Sequence, residues 1–145
     1  MKLAVIGGGS TYTPELVAGL ALERERLDLA EFVLQDIDSE RREDVGGLAR
    51  RMLNAAGFTG TLTVTDDLDR ALDGASFVLI QLRVGGQTAR LSDETIPLAC
   101  GCIGQETTGA GGLGKALRTV PVVLDIANRV RELAPKDLDL AEILA

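Results

Sequence analysis

The chain has 145 residues, 46% hydrophobic and 26% charged, a balance that supports one globular domain with a real core and excludes a disordered chain. Its net charge of −7 and pI near 4.6 argue against non-specific affinity for nucleic acid. No apolar run approaches a membrane span or a signal peptide, so a cytoplasmic setting and no membrane partner are expected.

Aromatic residues are only 3% of the chain, so the core must be aliphatic, which favours helices on a parallel sheet. Lys2-Leu3-Ala4-Val5-Ile6 reads as a first strand that runs into the glycine-rich turn Gly7-Gly8-Gly9-Ser10. Thr13-Pro14-Glu15 then reads as N-cap, proline at N1 and an acid in the first turn. The helix that follows turns Leu16, Val17, Leu20 and Ala21 toward the sheet. Glu31 to Asp36 is a second short strand ending in a carboxylate.

Asp38-Ser39 opens a second helix with Val45, Leu48, Ala49, Met52 and Ala56 on one stripe and Gly57 just past its end. Gly60 to Thr65 is a third strand, Leu68 to Leu72 a short helix, and Ser76 to Gln81 a buried fourth strand. Further helices are expected at Ala89 to Ala99 and from about Gly114 to Leu133, the second bent or interrupted at Pro121. The pattern is α/β: a Rossmann-type doubly wound parallel sheet, truncated after its first half, with strand order 3-2-1-4. From about Lys136 the chain reads as a short acidic amphipathic tail in place of a fifth strand.

Four stretches carry chemistry. In Gly7-x-Gly9 the first glycine permits the tight turn and the second lets a pyrophosphate approach the helix N-terminus, although Tyr12 holds the usual third glycine position. Asp36 stands where a carboxylate binds an adenosine ribose diol and repels a 2′-phosphate, which favours NAD over NADP; Asp38 is its competitor, or a helix cap. Gln81-Leu82-Arg83-Val84-Gly85-Gly86, followed by Arg90, Asp93 and Glu94, ends the fourth strand where open α/β sheets bind ligands. Arg83 and Arg90 suit an anionic group, unless Arg90 merely pairs with Asp93 or Glu94 along a helix. The glycine-rich run from Gly101 to Gly112, with Gln105, Glu106, Thr107 and Thr108, reads as a polar loop pressed against a ligand. Cys100 and Cys102 are too few for a disulfide framework or a zinc site and are expected to be reduced, buried thiols. The chain has no histidine, so it supplies no histidine acid–base chemistry or histidine-ligated metal.

Several of these motifs, in order, resemble the NAD-dependent glycoside hydrolases of family 4. They are Gly-Gly-Gly-Ser-Thr-Tyr-Thr-Pro-Glu-Leu at 7–16, Asp36-Ile37-Asp38, Gln-Leu-Arg-Val-Gly-Gly at 81–86, Arg90 to Glu94, Ile-Gly-Gln-Glu-Thr-Thr-Gly at 103–109, Gly111-Gly112 and Ala116 to Pro121. The two glutamine-containing forms look most like the 6-phospho-β-glucosidase branch. The resemblance covers about 1–135, expected as an NAD-binding domain, with 136–145 a divergent tail and the family's C-terminal catalytic and metal domain absent. It implies hydrolysis of phosphorylated glycosides by redox-assisted elimination: hydride abstraction at C3, loss of the C2 proton and the aglycone, then water addition and re-reduction. NAD and a divalent metal, usually Mn²⁺, are the implied cofactors, and a homo-oligomer the implied assembly.

Carried over by position, Gly7, Gly9, Ser10, Thr11, Asp36 and Gln81 are cofactor-binding, and Arg83, Arg90, Gln105, Glu106 and Thr107 substrate-binding. No catalytic residue and no metal ligand is assigned: the family's Asn-Pro segment, metal-binding Cys and His, and tyrosine base follow the region present here, and Tyr12 is the only tyrosine. The expectation is therefore a chain that binds NAD but does not turn over alone. The alternative is a free-standing nucleotide-binding or regulatory module. A small hydroxy-acid dehydrogenase is disfavoured by Gln105 to Gly109 and the missing histidine.

Overall fold

The structure, a computed structural model, describes residues 1–133 and a strand at 139–142. The elements in chain order are β1 (Lys2–Ile6), α1 (Thr13–Leu22), β2 (Glu31–Gln35), α2 (Ser39–Ala55), β3 (Thr61–Thr65), α3 (Leu68–Leu72), β4 (Phe77–Ile80), α4 (Gly86–Ala99), α5 (Gly109–Leu133) and β5 (Asp139–Glu142). Strand and helix alternate through β4, and every sheet neighbour is parallel in the order β3-β2-β1-β4-β5. The first four strands thus stand as the sequence implies. The fifth corrects it: Asp139–Glu142 pairs with Phe77–Ile80 where a tail was expected. The remaining tail residues lie outside the described residues.

The chain divides into two compact units, one of Met1–Leu82 with the segment from Val130 onward, the other of Arg83–Arg129. In the first, β1 is the central strand and buries Leu3, Ala4, Val5 and Ile6, the continuous apolar run of a strand covered on both faces. Val17 of α1 and Ala49 and Leu53 of α2 close on Leu3, Val5, Phe32 and Leu34. Truncating Leu53 to alanine there would cost about 2–5 kcal/mol. The buried stripe of α2 is Gly46, Ala49 and Leu53, rotated from the expected one, because Gly46 packs directly on Val64; Leu48 is left exposed. The end of α2 is a Schellman motif, with Gly57 N–H donating to Asn54 O at 3.1 Å and Phe58 N–H to Leu53 O at 3.0 Å.

The start of α1 also differs. Tyr12 precedes the helix with no side-chain cap, and Thr13 is its first, fully buried residue. The Thr13 hydroxyl does not cap because it accepts from the Gln81 side-chain amide at 3.1 Å.

In the second unit Asp93 and Thr119 are buried along with Pro97 and Ile126, while Leu113, Leu117, Val120 and Leu124 of α5 are exposed. Pro121 does not interrupt α5, which runs from Gly109 to Leu133. Pro121 lies on the exposed face, where water can solvate the carbonyl that loses its donor. Cys100 and Cys102 are free and exposed, not buried, because they sit at and beyond the end of α4.

Candidate functional site

The turn after β1 is fixed by its own backbone. The amides of Gly7 and Gly8 both donate to the Gln35 carbonyl, at 2.9 and 2.8 Å, and Ser10 N–H donates to Gly7 O at 3.1 Å. Gly7 has φ +88°, and a Cβ there would overlap the Gln81 carbonyl oxygen, so the position excludes every side chain. Gly9 donates to Asp36 Oδ2 at 2.7 Å, and a Cβ on Gly9 would stand 2.7 Å from that same oxygen. The Ser10 hydroxyl accepts from Tyr12 N–H at 3.2 Å and the Ser10 carbonyl from Thr13 N–H at 3.1 Å, which feeds the chain into α1. Four successive amides are therefore engaged within the protein. Among the described residues, the exposed Thr11 amide is the one in this turn that makes no hydrogen bond.

Asp36 is held from two sides. Its Oδ1 accepts from Asp38 N–H at 3.0 Å, and its carbonyl from Arg42 Nη1 at 2.8 Å. Asp38 is the cap of α2, accepting from Arg41 N–H at 3.1 Å, which leaves Asp36 as the carboxylate beside the turn. Gln81 is buried, and its side-chain amide donates to the Thr13 hydroxyl at the start of α1.

Within the second unit, Glu106 is the centre of a charge cluster. Its carboxylate lies 2.7 Å from Arg83 Nη1, 3.4 Å from Arg90 Nε and 3.7 Å from Lys115 Nζ, and its side chain is 13% exposed. Arg90 also pairs with Glu94 at 2.8 Å. Arg83, Arg90 and Lys115 gather around Glu106 in a chain whose net charge is −7. Such a gathering of cations suits an anion. Arg83, Arg90 and Glu106 are thus brought together, while Gln105 and Thr107 bond to each other at 2.9 Å on the exposed flank.

Two residues of this unit escape a reading of the sequence. Lys115 completes the cluster, and Arg118 forms a two-pronged pair with buried Asp93, Nη2 to Oδ2 at 2.6 Å and Nη1 to Oδ1 at 3.3 Å. Its Nε also donates to Val84 O at 2.8 Å, tying the segment that carries Arg83 to α5. The Asp93 hydrogen bond and charge hold the Arg118 pKa above its ordinary value. Arg90 pairs with Glu94 at i, i+4, while the Asp93 carboxylate at i, i+3 is taken by Arg118. The glycines of the 101–112 loop have a structural use. A Cβ at Gly104 would overlap the Glu94 carbonyl, and one at Gly111 the carbonyls of Asp93 and Gln105, so the loop is pressed onto α4 itself. Among the described residues no group of three His, Cys, Asp or Glu could hold a metal ion, and no helix is long and apolar enough to cross a membrane.

Residues 2–140 match the family described as family 4 glycosyl hydrolase. The probable 6-phospho-beta-glucosidase of Bacillus subtilis is 49% identical over 137 residues, 93% of this chain and 31% of that protein. The 6-phospho-beta glucosidase of Thermotoga maritima, solved with manganese, NAD⁺ and glucose-6-phosphate, has a TM-score of 0.91 at 38% identity, covering 99% of this chain and 34% of that one. A 6-phospho-alpha-glucosidase from gut microorganisms, in complex with NAD and glucose-6-phosphate, has a TM-score of 0.95 at 35% identity, covering 99% and 33%. The chain spans about a third of the length of these relatives.

Proposed function

This chain belongs to family 4 of the glycosyl hydrolases, and from that premise we propose that it serves as the NAD⁺- and phosphosugar-binding part of a 6-phospho-β-glucosidase. The observation that carries the reading is the Gly9–Asp36 contact at 2.7 Å, which supports a ribose on the Asp36 carboxylate beside a turn that admits no side chain at Gly7. In its support, two relatives solved with NAD carry glucose-6-phosphate as well. The β branch follows the probable 6-phospho-beta-glucosidase that is 49% identical.

When bound, NAD⁺ accepts the hydride from C3 of the sugar and so acidifies the C2 proton. The work of this chain is to bind and orient. The Thr11 amide receives the pyrophosphate ahead of α1, where the helix dipole favours negative charge. Asp36 takes the ribose hydroxyls with the lone pairs that Gly9 and Asp38 leave open. Arg83, Arg90 and Lys115 take the sugar phosphate, and Glu106 holds them in place. The described residues do not fit a divalent metal, so no step here is routed through one. Two exposed, unpaired thiols suit a reducing compartment and hence the cytoplasm.

Calorimetric titration of the chain with NAD⁺, NADP⁺ and glucose 6-phosphate tests this. The expected result is binding of NAD⁺ in preference to NADP⁺, together with binding of glucose 6-phosphate. A folded chain that binds no NAD⁺ would overturn the reading. Binding of NAD⁺ without glucose 6-phosphate would favour a nucleotide-binding module with no part in sugar chemistry.

A further inference from the structure

We infer that Arg41 is a ready-made partner for a 2′-phosphate, so that the Asp36 charge is the main barrier that closes this cofactor site to NADP⁺. The inference rests on the cofactor reading above and concerns specificity within that site. Gly9 is flanked by two side chains at once: a Cβ built on it would stand 2.7 Å from Asp36 Oδ2 and 2.9 Å from Arg41 Cβ. A ribose whose diol sits on Asp36 therefore has the Arg41 side chain rooted on the same glycine.

The two arginines at the start of α2 are employed differently. Arg42 is committed, with Nη1 donating to the Asp36 carbonyl at 2.8 Å, Nη2 lying 3.6 Å from Asp66 and its side chain 19% exposed. Arg41 is half exposed, and its side-chain contact is a loose one, Nε to Asp38 Oδ2 at 3.8 Å. A half-exposed pair at that distance is worth little. A guanidinium gains far more from two parallel hydrogen bonds to a phosphate. Asp38 is anchored by capping α2 through its other oxygen, so Arg41 can leave it without disturbing the helix start. What opposes a 2′-phosphate is then the Asp36 charge, which stands where the phosphate would be placed. The exposed Glu40 beside Arg41 adds a screened, weaker repulsion.

The test is a calorimetric comparison of NAD⁺ and NADP⁺ on the chain, D36N, R41A and D36N/R41A. D36N retains one oxygen to accept from Gly9, and D36S serves if D36N does not fold. The expected result is that D36N tightens NADP⁺ about tenfold or more, a step of about 1.4 kcal/mol, while weakening NAD⁺. R41A alone leaves NAD⁺ within about twofold, and D36N/R41A loses the gain in NADP⁺. A D36N chain with no gain, or a gain that survives R41A, overturns the inference while NAD⁺ binding by the unaltered chain leaves the cofactor reading standing. Failure of the unaltered chain to bind either dinucleotide overturns both.

Discussion

In the turn from Gly7 to Thr11 the groups that set the geometry are backbone, whereas around Glu106 they are charged side chains. The turn exists because no side chain fits at Gly7 and because four amides are fixed by carbonyls and one carboxylate. The cluster exists because three cations converge on one carboxylate that is 13% exposed. Steric exclusion is indifferent to salt and intolerant of one added carbon. Charge convergence tolerates changes of size and answers to ionic strength. A fixed pyrophosphate seat suits the first kind of construction. A seat that must exchange an anion against an internal carboxylate suits the second.

The contrast can be broken by substitution, starting with the largest effect. Gly7→Ala must enter a positive-φ position and displace the Gln81 carbonyl, so it should cost about 2–4 kcal/mol in denaturant titration, equally at low and high salt. A cost that falls with salt would show that the turn is not set by sterics. Glu106→Gln leaves Arg83, Arg90 and Lys115 facing one another and should cost about 1–3 kcal/mol, with a clear reduction in 0.5 M salt. No salt dependence there would deny the cluster its electrostatic character. Gly9→Ala pushes on Asp36 Oδ2 and on Arg41 Cβ, so NAD⁺ affinity should fall about tenfold, or about 1.4 kcal/mol, together with some loss of melting temperature. Unchanged NAD⁺ affinity would show that the Gly9–Asp36 contact does not shape the cofactor seat. Arg90→Ala removes a side chain that is 42% exposed and should change stability by no more than about 0.5 kcal/mol. Weakened glucose 6-phosphate binding at that unchanged stability would mark Arg90 as a ligand contact.

How much of this was legible follows the range of each interaction. The glycine turn, the place of Asp36 at the end of β2, the first four strands and the chain's family could be read because each depends on neighbours along the sequence or on a motif of fixed spacing. Thr13 was misread as a cap because its hydroxyl is claimed by Gln81, 68 positions away. Asp93 hid its partner for the same reason, since Arg118 lies 25 positions on and helical spacing offers Arg90 first. Asp139–Glu142 has the composition of a solvated tail and becomes a strand through parallel pairing with β4, a tertiary influence that propensity does not contain. The 101–112 run was read as a loop pressed against a ligand, whereas its Gly104 and Gly111 close on the carbonyls of α4, a surface that could not be named from sequence.

Pro121 has a further consequence for how α5 breathes. A proline in mid-helix leaves one rung out of the amide ladder, so the Leu117 carbonyl has no donor four residues on. At about 1.5 Å per residue the 25 residues of α5 form a rod of roughly 37 Å, long enough for its two halves to open separately. Hydrogen–deuterium exchange should therefore leave α5 in two blocks, with the join at Pro121, rather than fraying inward from its ends alone. The helix is continuous in shape and divided in protection.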